Sequence, residues 1–120
     1  MTVVANVLVG LVALIHLCIV VLEMVLWTTP RARAAFGTTE AFARESKALA
    51  ANQGLYNGFL ALALIWGLLA SDPAGFQLKL YGLVCVIVAG LYGAATAARR
   101  ILVVQALPGV LALVFLLLAR

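Results

Sequence analysis

Residues 2–30 read TVVANVLVGLVALIHLCIVVLEMVLWTTP, and this stretch decides the fold. From Thr2 to Trp27 it is an apolar run that carries His16 and, seven residues later, Glu23. A run of that length crosses a bilayer, because about 20 residues span the hydrocarbon. An ionisable group inside such a helix is costly, faces the protein interior and marks a functional site by default. Chemistry is therefore expected at Glu23.

Three more apolar runs follow, at Ala48–Ala70, Phe76–Ala98 and Ile101–Ala119. The chain has 120 residues, of which 67% are hydrophobic and 10% charged. A water-soluble domain this small needs far more polar surface. In lipid every backbone amide must be satisfied within its own segment, so the runs are helices. The predicted fold is all-α: one domain, residues 1–120, forming an antiparallel bundle of four transmembrane helices at about 2–28, 40–70, 76–98 and 101–119. Short loops make sequence neighbours antiparallel. The first helix is expected to be retained rather than cleaved. No Lys or Arg precedes it, it is too long, and it holds His and Glu in its body.

The formal net charge is +4. The cations flank the spans, so they indicate membrane topology and no nucleic acid partner. Arg31, Arg33, Arg44, Lys47, Arg99 and Arg100 lie in the first and third loops, whereas Lys79 and Arg120 lie on the other side, a split of six to two. The positive-inside rule then puts both termini outside. Trp27 falls at the inner interface and Trp66 at the outer one. Cys18 and Cys85 form no CxxC motif, which leaves a thiol–disulfide relay unsupported.

Local signals divide the rest. Pro30 is expected to stop the first helix, with Arg31–Gly37 a polar connector. Thr38 or Thr39 caps the next helix, with Glu40 in its first turn. Asp72, Pro73 and Gly75 form a tight turn. Ala50, Gly54 and Gly58 recur every fourth residue, a spacing that lets helix backbones approach closely. Pro108 cannot donate to Val104, which predicts a kink beside Gln105.

With that topology and a rise of about 1.5 Å per residue, polar residues from all four helices fall in one slab near the cytoplasm. The first helix supplies Glu23 and His16, and the second Asn52, Gln53, Tyr56 and Asn57. Tyr92 and Thr96 come from the third, and Gln105 from the fourth. His16 and Glu23 share a face with Trp27, and Gln53 shares one with Asn57. Three states are open to Glu23: protonated, ionised among these donors, or paired with a bound cation. His16 and Glu23 lie about 10 Å apart along the helix, too far for a direct bond but able to bracket a small molecule. They are the expected proton-transferring pair. Trp27, Asn52, Gln53, Tyr56, Asn57, Tyr92, Thr96 and Gln105 are the expected ligand-binding set. One His and one Glu are too few for a typical zinc site, so no metal is expected.

Four strings carry a resemblance: HLCIVVLEMVLWTTP at 16–30, ANQGLYNGFLA at 51–61, AGLYGAAT at 89–96 and QALP at 105–108. Together they resemble a bacterial membrane-protein family known as domain of unknown function thirteen-hundred-and-four, over essentially the whole chain. The resemblance implies a small four-span protein of the bacterial cytoplasmic (inner) membrane. It implies no activity.

Three functions compete. The first is a site that binds or acts on a small amphipathic molecule such as a lipid, isoprenoid or quinone. The second is proton-coupled transport of a cation or small molecule by a homo-oligomer, in outline like the small multidrug transporters, although those sequence strings are absent. The third is an accessory subunit of a membrane complex, with the polar network as structure. Membrane lipids are the expected surroundings in each case. No particular cofactor is indicated.

Overall fold

A computed structural model describes residues Met1–Arg120, and its regular elements are all helices. They are α1 (Thr2–Met24), α2 (Pro30–Phe36), α3 (Glu40–Glu45), α4 (Lys47–Leu69), α5 (Ala74–Thr96), a π-helical segment (Leu102–Ala106) and α6 (Leu107–Ala119). Four stretches are long and apolar enough to cross a membrane: α1, α4, α5 and Leu102–Ala119. Many of their large side chains are exposed, Leu62, Leu69 and Leu118 among them. Hydrocarbon solvates such surfaces as readily as the core does, so this exposure is the natural state of a membrane span.

The chain divides into two compact units, one of Met1–Ile15 with Leu60–Arg120 and the other of His16–Phe59. The first unit is a four-helix bundle. Val9 and Val12 of α1, Leu64 of α4, Leu83 and Val86 of α5, and Ala112 and Leu116 of α6 form its core. Asp72 opens α5 by accepting a hydrogen bond from the Phe76 amide at 3.1 Å, which satisfies one of the helix's orphan donors. Gly75 sits where an added Cβ would collide with the carbonyl oxygens of Ala70 and Gly67. The tight turn read at Ser71–Gly75 therefore depends on that glycine for close approach.

The π-helical segment ends two residues before Pro108. There the Leu107 amide donates to the Leu102 carbonyl, five residues back. A proline removes one donor and crowds the preceding turn, and a wider helical turn accommodates the loss. The Gln105 side chain donates to the Val86 carbonyl oxygen on α5 at 3.0 Å, which ties the irregular segment to its neighbour.

The second unit begins with the C-terminal part of α1, from His16 on. That helix ends at Met24, short of the expected limit near Thr28, and residues 25–29 form turns. Pro30 does not stop α1 but starts α2. Thr29 is the N-cap, its side chain accepting from the Ala32 amide, and Pro30 occupies the first turn. Proline suits that position because its missing N–H would have been unpaired there. Gly37 closes α2 with φ 69°, the left-handed conformation that glycine adopts without strain. The expected connector at 31–37 is thus largely helical.

Thr39 caps α3 through a 3.1 Å hydrogen bond from the Phe42 amide. The second expected helix, at 40–70, is interrupted at Ser46, where α3 ends and α4 begins. The Ser46 hydroxyl donates to the Phe42 carbonyl oxygen at 2.6 Å, a local alternative to helix continuation.

Candidate functional site

Glu23 occupies the last turn of α1 and is buried, with 8% of its surface exposed. Its Oε1 accepts a hydrogen bond from Asn57 Nδ2 of α4 at 2.7 Å. The helices meet here because α4 presents small residues. A Cβ added to Gly54 would lie 2.6 Å from Met24 Cγ and 3.1 Å from Glu23 Cβ. One turn on, a Cβ at Gly58 would rest 3.7 Å from Val20 Cγ2, an ordinary contact. The small residues at 54 and 58 therefore form a notch over Val20–Met24, and Asn57 stands beside the notch to meet the carboxylate.

His16 is fully buried on the same helix, two turns before Glu23. Past the end of α1, Trp27 Nε1 donates to Ser46 Oγ at 3.1 Å. The Trp27 ring packs on Phe36 with centroids 4.9 Å apart. Trp27 thus anchors both α2 and the α3–α4 junction below the Glu23 turn. Two more donors in this unit, Arg33 Nε and the Thr38 hydroxyl, are buried without a hydrogen-bond partner. The unit retains polar capacity that its own fold does not consume.

The remaining expected ligand-binding residues are disposed differently. Asn52 is exposed and donates to the Ala48 carbonyl oxygen of its own helix at 2.8 Å. Gln53 is exposed, and Tyr56 is exposed with its ring edge-on to Phe59, centroids 5.8 Å apart. Tyr92, Thr96 and Gln105 belong to the other unit. Tyr92 is 72% exposed, the Thr96 hydroxyl donates to the Tyr92 carbonyl oxygen, and Gln105 is engaged with Val86. Within the His16–Phe59 unit, then, a side-chain hydrogen bond joins Glu23 to Asn57 alone, and His16 is buried two turns away on α1.

Sequence reasoning overlooked Ser46 as the partner of Trp27. It also read Gly54 only as a packing residue, although its spacing from Asn57 was the available signal: a glycine three residues before an amide puts bare backbone and a donor on one face. Both cysteines are free thiols.

These features define a multi-pass helical membrane protein in which a buried carboxyl group on the first span meets an amide on the second. The chain belongs to the family described as protein of unknown function (DUF1304), which it matches over residues 10–117. No curated protein and no solved structure matches it.

Proposed function

We propose that Glu23 and Asn57 form the polar end of a site for a small amphipathic molecule of the lipid, isoprenoid or quinone class. The supporting observation is the buried Glu23 carboxyl group on an apolar span, held by one amide donor at 2.7 Å. A carboxylate offers about four lone-pair sites, and Asn57 fills one. A hydroxyl, carbonyl-bearing or cationic headgroup would use the others, while its apolar tail follows the surrounding helix faces. Glu23 would accept a hydrogen bond or a proton from the headgroup. His16, about 10 Å away along α1, would contact the more deeply buried part of the same molecule. If a reaction occurs, this pair moves the proton and Asn57 orients the group that gives it up.

The six-to-two charge split supports a membrane orientation with both termini outside and the Glu23 turn near the cytoplasmic face. The family resemblance adds the bacterial cytoplasmic membrane as the location.

A thermal-shift panel of isoprenoid alcohols, quinones and phospholipids tests this reading. A ligand at about 100 times its Kd stabilises the folded state by about 2.7 kcal/mol. Wild type is expected to show such a shift with at least one class, and Glu23→Gln is expected to lose it. Equal shifts in both proteins would remove Glu23 from the site.

A further inference from the structure

A second polar cluster lies in the other unit, at the end of the bundle that carries the starts of α1 and α5 and the end of α6. There a cleft of about 240 Å³ is lined by residues that include Asn6, Asp72, Phe76, Lys79, Leu116 and Arg120. Lys79 is a cation near the start of the third span, the sixth residue of α5. Such a residue is costly in lipid and calls for a partner or a polar surface. Its Nζ donates to Asn6 Oδ1 at 3.1 Å, and Asn6 is neutral. Arg120 lies over the Phe76 ring, with Cζ 4.0 Å from the centroid. Neither cation has an ion-pair partner, since the one salt bridge of the chain joins Arg44 to Glu40. The carboxylate of the cleft, Asp72, accepts from the Phe76 amide at 3.1 Å and forms no ion pair with either cation.

The cleft therefore gathers two cations and one carboxylate, an excess of one positive charge, beside apolar surface from Phe76 and Leu116. Asn6 holds the ammonium by its own oxygen and leaves two of its three donors for an acceptor. The volume falls below the roughly 300–1,000 Å³ of sites that enclose a whole drug-sized ligand. It suits a compact anionic group whose remainder lies outside. Helix ends place the cleft at headgroup depth, where the long Lys and Arg side chains reach lipid phosphates.

We propose that this cleft binds a phosphate anion, with Lys79 and Arg120 as its cationic ligands. An acidic phospholipid headgroup and free inorganic phosphate share that chemistry. The apolar wall favours the lipid.

Native mass spectrometry of the full chain, titrated separately with phosphatidylglycerol, phosphatidylcholine and inorganic phosphate, tests the proposal. Wild type is expected to bind phosphatidylglycerol more tightly than the zwitterionic phosphatidylcholine. Each cation near a membrane surface contributes about fivefold in affinity, so Lys79→Gln and Arg120→Gln should each weaken binding by about that factor. Lys79→Arg keeps the charge and should restore most of it. Phosphate that binds as tightly as phosphatidylglycerol, with the same dependence on Lys79 and Arg120, would support the site and make the free anion its occupant. Arg120→Gln carries the test should Lys79→Gln melt early, because Arg120 is exposed at the end of α6. Equal affinity for the two lipids without phosphate binding, or wild-type affinity in Arg120→Gln, would overturn the proposal.

Discussion

Asn57→Leu is expected to destabilise the protein by about 1–3 kcal/mol, whereas Glu23→Gln should cost less than about 1 kcal/mol. The difference follows from which partner is left behind. Leucine keeps the branched heavy-atom skeleton of asparagine but removes the Nδ2 donor, and the buried Glu23 Oε1 then loses its 2.7 Å hydrogen bond. Leaving a buried acceptor unmatched carries its desolvation penalty, which exceeds the net worth of the bond. Glutamine at position 23 keeps a carbonyl oxygen for Asn57 and so keeps the bond. Replacing both residues with apolar groups of similar shape should recover much of the loss, since neither partner is then stranded. Reversible unfolding of wild type, Asn57→Leu, Glu23→Leu and the double variant in mixed micelles checks this cycle. A double mutant as unstable as the sum of its parents would mean that the two side chains act independently. The pair would then be no unit on which a site could be built.

Gly67→Ala is expected to lower stability by about 1–2 kcal/mol, against the helix-propensity gain of up to about 1 kcal/mol that alanine normally brings. The new Cβ would lie 2.9 Å from the Lys79 backbone nitrogen and 3.1 Å from the Gly75 carbonyl oxygen. Backbone atoms cannot rotate away as side chains do, so the end of α4 and the start of α5 must separate. Gly10→Ala is the control. Nothing lies within 4 Å of a Cβ at Gly10, so only the propensity gain remains. Melting temperatures should therefore move in opposite directions for the two variants. A Gly67→Ala protein as stable as Gly10→Ala would show that the α4–α5 approach is looser than these distances imply.

The four spans were legible in the sequence because their signal is length. Runs such as Thr2–Met24 and Ala74–Thr96 can satisfy their backbones in lipid in only one way. Helix ends were less legible. Pro30 reads as a stop, yet with Thr29 before it the proline forms an N-cap and first-turn pair, and only the loop before it tells the two apart. Ser46 interrupts a segment of good helix formers through its own hydroxyl, which no periodicity reveals.

The site was legible in part for a related reason. Helical spacing says which residues share a face, but not which face turns inward when a span is apolar all round. Gln53 and Asn57 share a face by that count, and the structure exposes Gln53 while Asn57 meets Glu23. The importance of Glu23 needed no geometry, because an acid in an apolar span must find a donor. The choice of Asn57 over Asn52 did need it, since Asn52 turns back to its own helix. The cleft at Lys79 joins residues more than seventy positions apart in the chain, and no local pattern links Asn6 to it.

The most direct test of the Glu23 site is native mass spectrometry of the protein released from mild detergent, beside Glu23→Gln. The account predicts a discrete bound mass of a few hundred daltons or more on wild type that is absent from a folded Glu23→Gln. The same mass retained equally by both proteins, or none on either, would contradict it.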